Sequence, residues 1–162
     1  MSDLLQQRQR DIAEEFEFFE DWMERYEHII ELGKELDPIP ESDKLDEHLI
    51  RGCQSRVWLL AAKDGEGNVQ FRADSDAIIT KGLAALMVRV MNGLPPAAIA
   101  QADLWFIEKI GLDAHLSPTR ANGLRSMVQQ MKHTELRFRP KLRPKKHGAL
   151  PFQICEILQV SQ

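Results

Sequence analysis

The residue with the most chemistry to offer is Cys53, because of its neighbours: Arg51-Gly52-Cys53-Gln54-Ser55-Arg56 lies between a polar loop and a short apolar run. Gly52 removes a side chain beside the sulfur and tolerates positive φ, so a loop tip there can bring the thiol close to another protein's backbone. Arg51 and Arg56 favour the thiolate, which is the nucleophilic form, if they point toward it. A packed, structural Cys53 is the competing reading, since free cysteine is among the most buried residue types. Asp74-Ser75-Asp76 is first of all a helix-capping arrangement. Lys81-Gly82-Leu83 reads as a solvated lysine next to a close helix contact. Arg120, in the first turn of its helix, is unfavourably placed for the dipole, which suggests a carboxylate partner such as Asp76 or simple exposure.

Other chemistries find no support in the sequence. His28, His48, His115, His133 and His147 are scattered without an HxxxH or HExxH spacing, and neither Cys53 nor Cys155 lies in a CxxC, so no metal site is expected. Walker, GxGxxG and GxSxG loops are absent. Cys155 sits in an apolar run and reads as a packed residue. The N-terminus lacks the apolar core of a secretory signal and no run of about 18 apolar residues occurs, so a cytoplasmic protein with no membrane partner is expected.

The elements that must position Cys53 follow from periodicity. In a chain of 162 residues, 43% hydrophobic and 28% charged, one globular domain is expected. From Asp11 to about Leu36, Ile12, Phe16, Phe19, Met23, Tyr26 and Ile30 form one stripe of a single amphipathic helix, stopped by Asp37-Pro38-Ile39-Pro40. Val57–Ala62 and Val69–Ala73, joined by Asp64-Gly65-Glu66-Gly67-Asn68, predict an antiparallel hairpin. Behind Asp74 and Ser75, the spacing of Ile78, Ile79, Leu83, Leu86, Met87, Val90 and Met91 predicts a central helix ending at Gly93. A short helical segment opens at Pro95-Pro96, another runs from Leu104 to Gly111, and Ser117-Pro118 starts a helix through Met131. Beyond it periodicity fails: 137–144 reads as extended, and 152–158 is patterned as a last strand.

The net charge of −4 hides a polarity. Residues 132–147 hold seven basic side chains against Glu135, on a body that is otherwise acidic. Phosphate contacts by this tail are conceivable. The single aromatic Phe138 and the acidic body weigh against nucleic acid, and docking on the protein's own acidic surface or on an acidic partner is favoured.

Three stretches together resemble the SufE family of sulfur acceptors, partners of SufS-type cysteine desulfurases in iron–sulfur cluster assembly. They are Gly52-Cys53-Gln54-Ser55 with Val57-Trp58, Asp74-Ser75-Asp76-Ala77 with Lys81-Gly82-Leu83, and Leu116-Ser117-Pro118-Thr119-Arg120 with Gly123-Leu124. The resemblance covers about residues 10–131. It implies a SufE-like domain over 1–131 followed by a basic C-terminal extension, 132–162. It also implies an α+β fold, a small antiparallel sheet packed against several helices, similar to the SufE/IscU-type fold. Cys53 is then the persulfide carrier, with Gly52, Gln54, Ser55, Asp76 and Arg120 supporting its loop and Arg51 and Arg56 acting electrostatically. No cofactor of its own is implied, because pyridoxal phosphate belongs to the partner desulfurase and performs the carbon–sulfur cleavage. The partners implied are a SufS-type desulfurase and a downstream iron–sulfur scaffold complex, and a homodimer is compatible with the sequence. Such a chain activates and accepts sulfur from an enzyme without being an independent one. The alternatives are an iron–sulfur scaffold, which one cysteine in the matching region cannot ligate alone, and a non-catalytic protein or nucleic-acid interaction domain using the basic tail.

Overall fold

The computed structural model of the chain describes residues 2–138. The readings of Cys155 and of a strand at 152–158 lie outside the described residues. Its elements, in chain order, are α1 (Asp3–Glu17), α2 (Trp22–Lys34), β1 (Val57–Lys63), β2 (Val69–Ser75), α3 (Ile78–Met91), α4 (Pro96–Ala100), α5 (Phe106–Lys109), α6 (Leu112–His115), α7 (Pro118–Lys132) and α8 (Thr134–Phe138). Single 3-10 turns at Glu41–Asp43 and Asp46–His48 punctuate the loop before β1. The class is α+β, as the sequence leads one to expect.

The helix expected over 11–36 is two helices. Asp21 caps α2 by accepting the Glu24 N–H at 2.9 Å, and the Glu24 carboxylate reaches back to the Glu20 N–H at 3.0 Å. These two side-chain caps make a new start cheaper than continuation, and Asp21-x-x-Glu24 is their legible signal. The four residues 18–21 take up about one turn, so the apolar spacing survives the break. Phe16 and Ile12 are buried, whereas Met23 is 63% exposed and Ile29 and Gly33 carry the buried face of α2.

Helix α3 is central, with ten of its fourteen residues buried. It packs on β2, α1, α2 and α7. The crossing with α2 is tight enough to dictate glycine: a Cβ on Gly82 would collide with the Ile29 carbonyl, and one on Gly33 would lie 2.7 Å from the Gly82 nitrogen. Charged side chains lock the same layer from outside, Glu15 accepting from Arg89 and pairing with His28, each at 2.6 Å.

The hairpin forms as expected, Val57 opposite Ser75 through Lys63 opposite Val69, and its inner face packs on α3. Ser117 caps α7 with Pro118 at its first position. Two short elements escape the sequence reading. One is α6. The other is α8, whose Thr134 is buried and whose Arg137 and Phe138 are helical where an extended chain was expected.

Candidate functional site

Cys53 sits in the loop that climbs from Ile50 to β1. The loop's ends are fixed by backbone: the Ile50 N–H donates to the Val57 carbonyl at 2.9 Å, and Leu49 bridges Trp58. At its tip Gly52 has φ +89° and its α-carbon faces Ser126 of α7 so closely that a Cβ would lie 2.7 Å from Oγ. A side chain at position 52 would therefore meet both strain and a clash. The Cys53 thiol donates to the Gly123 carbonyl of α7 at 3.5 Å, and a Cβ at 123 would stand 3.5 Å from the sulfur.

The thiol faces a cleft of about 320 Å³ between the first turns of α3 and α7. Gln54 and Ser55 follow Cys53 along its edge, Ala77, Ile79 and Thr80 form the α3 wall, and Ser117, Thr119 and Arg120 form the α7 wall. The helix N-termini bring positive partial charge to this space. Arg120 is held with its guanidinium 5.8 Å from the centre of the Tyr26 ring. That contact, not an ion pair with Asp76, is what the structure gives it: no ion pair of Arg120 occurs among the described residues.

Asp76 acts one step behind the cleft. Its Oδ1 accepts the Arg56 N–H at 3.0 Å, and its own N–H donates to the Arg56 carbonyl at 3.3 Å. The Ser75 hydroxyl also donates to that carbonyl, at 2.7 Å. Arg56 is thus clasped through its backbone, three residues from the thiol, and its charged end is exposed. Burial pushes the Cys53 thiol up from its ordinary value, and no charged neighbour contributes to the shift. Arg51 and Arg56 would favour the thiolate only by pointing toward it; neither contributes to the shift, and desolvation of the half-buried sulfur favours the protonated thiol.

Asp74 is not a helix cap. Ala77 occupies that position, and Asp74 is the penultimate residue of β2, at 4% exposure. Its carboxylate accepts from the Ser75 N–H at 2.8 Å and the Ile39 N–H at 3.4 Å, and pairs with Lys81 at 3.3 Å and Lys44 at 3.6 Å. Burial alone would raise its pKa, but these donors outweigh it and hold the carboxyl below its ordinary value. Lys81 is therefore a partner of Asp74 and not a freely solvated lysine.

Among the described residues, no group of three or more His, Cys, Asp or Glu side chains is placed to hold a metal ion, and no helix is long and apolar enough to cross a membrane. These features define a small α+β protein that presents one cysteine in a cleft between two helix starts. The SufE family model, described as an Fe-S metabolism associated domain, matches residues 10–135. The chain belongs to the SufE family and is associated with iron–sulfur metabolism. An uncharacterised SufE-like protein of Rhizobium meliloti is 40% identical over 125 residues, covering 75% of this chain and 89% of that protein. One of Rhizobium etli is 41% identical over 125 residues, covering 75% of this chain and 84% of its own length. The solution structure of a hypothetical protein from Thermus thermophilus shares the fold, with a TM-score of 0.65 at 20% identity over 80% of this chain and 94% of that one.

Proposed function

We propose that this chain accepts sulfane sulfur on Cys53 from a SufS-type cysteine desulfurase, stimulates that enzyme by relieving it of its persulfide, and passes the sulfur on for iron–sulfur cluster assembly. The observation that carries the reading is the Cys53 thiol facing a cleft with room for a second sulfur, in a chain of the SufE family. The Cys53 thiolate attacks the outer sulfur of the donor's Cys–S–SH. A new S–S bond forms to Cys53, the donor's S–S bond breaks, and the donor cysteine leaves as a thiolate that takes up a proton. The proton lost by Cys53 balances the one gained, and no electrons leave the pair. Carbon–sulfur cleavage stays with the desulfurase, so one nucleophile suffices here.

The raised thiol pKa has a use in this scheme. A protonated, half-buried sulfur reacts slowly with stray disulfides and oxidants, and a docked partner that draws the loop away from Gly123 exposes it to the donor. The clasp on Arg56 is a contact that such a partner can release. In the test, sulfide release from cysteine by a purified desulfurase is measured with and without the chain. Stimulation is expected with the native chain and none with Cys53→Ser at unchanged thermal stability; full stimulation by Cys53→Ser overturns the reading.

A further inference from the structure

Next to residues that line the cleft, α3 carries an apolar side chain that folding does not use. Ile78 lies in the first turn of α3, between Ala77 and Ile79, both of which line the cleft, yet it is 68% exposed. Single exposed apolar residues are ordinary on protein surfaces. What distinguishes Ile78 is its place: of the large apolar side chains exposed among the described residues, it is the one whose chain neighbours line the cysteine cleft.

Arginines outnumber carboxylates beside it. Arg120 stands on the opposite wall and Arg56 follows the cleft-lining Ser55; both are exposed, and neither enters an ion pair among the described residues. The carboxylate nearest in sequence, Asp76, accepts the Arg56 backbone N–H and keeps its negative charge, so it offsets one of the two arginines. In a chain of net charge −4, two exposed arginines outside any ion pair, set against the one carboxylate of Asp76, leave an excess of positive charge near the exposed isoleucine.

We propose that Ile78, flanked by Arg56 and Arg120, anchors the desulfurase on the mouth of the cleft, and that the surface it meets has an apolar pocket rimmed by carboxylates. The inference rests on reading Cys53 as the sulfur acceptor. Because the thiol is half-buried, a donor persulfide can reach it only if the donor protein covers this mouth, and covering it takes Ile78 out of water. A central apolar side chain seated in a pocket supplies affinity, while arginines at its rim supply association rate and salt dependence.

The test titrates a purified SufS-type desulfurase, in the presence of cysteine, with the native chain and with Ile78→Ser, Ile78→Leu and Leu136→Ser. The half-saturating concentration is expected to rise about tenfold for Ile78→Ser. It should stay within about twofold of native for Ile78→Leu and for Leu136→Ser, an exposed leucine of α8 outside the cleft lining. Maximal transfer at saturation and the rate of Cys53 alkylation in the free chain stay unchanged in Ile78→Ser, which separates docking from damage to the thiol. Raising salt weakens the native complex, and Arg56→Glu flattens that dependence. If Ile78→Ser saturates at the native concentration while the native chain gains sulfur on Cys53, the anchor is overturned and the acceptor reading stands. If the native chain gains no sulfur, both are overturned.

Discussion

Asp74 and Asp76 have only Ser75 between them, and the two carboxylates are held in opposite ways. Asp74 is buried under two backbone N–H groups and two ammonium groups that come from the loop before β1 and from α3. Asp76 is exposed and holds one N–H of the cysteine loop, while its own N–H donates to the Arg56 carbonyl at 3.3 Å. A buried charge with several partners is costly to disturb, since each donor left unsatisfied carries its own desolvation penalty. A single exposed hydrogen bond is worth about 1 kcal/mol and can be exchanged for water or for a partner protein. The strand end is thus fixed to the core while the loop beside it is only clasped, as the proposed role of Cys53 in sulfur transfer requires.

Breaking the stronger side should cost most. Asp74→Ala is expected to destabilise the fold by about 3 kcal/mol, read as a lower midpoint in urea. Because the Asp74 carboxyl lies below its ordinary value, its contribution is complete at neutral pH and is lost as pH falls through the folded value; Asp74→Asn should remove part of the acid-induced loss. Asp76→Ala is expected to cost less than about 1 kcal/mol yet to speed alkylation of Cys53 several-fold, read with iodoacetamide at fixed pH. Equal stability losses for the two substitutions, or no change in alkylation for Asp76→Ala, would erase the distinction. The smallest effect is a shift in profile. Alkylation of Cys53 in the folded chain should reach half its maximum at a pH above the thiol's ordinary 9.0, and Asp76→Ala should move that midpoint down toward it. The sign for stability follows: the folded chain keeps its proton longer, so the small contribution of the neutral thiol is present below pH 9.0 and fades as pH rises through the folded value.

Much of the scaffold is legible in the sequence because it depends on local periodicity. The hairpin, the central α3 and the Ser117-Pro118 start of α7 all follow from alternation, apolar spacing and capping chemistry. The break before α2 escapes periodicity because an interruption of about one turn preserves the apolar stripe, although Asp21-x-x-Glu24 marks it. Asp74 misleads for a different reason. Its type fits a cap, and nothing local says that Ile39, Lys44 and Lys81 converge on it from separate segments. The same holds for Arg120, whose contact is the ring of Tyr26, far earlier in the chain. Cys53, Gln54, Ser55 and Arg120 stand out in the sequence and do border one cleft, whereas Ile79, Thr80 and Gly123 join them only through folding. Ile78 groups with the core by its spacing, and its exposure follows from its place at the very start of α3.

The central claim, that Cys53 carries sulfur, is open to one direct measurement. The chain is mixed with a SufS-type desulfurase and cysteine, separated without reductant, digested and analysed by mass spectrometry. A gain of one sulfur atom, about 32 Da, on the peptide holding Cys53 and its loss in Cys53→Ser is the expected result. A native chain that stays unmodified at Cys53, or that takes up its sulfur on Cys155 instead, would contradict it.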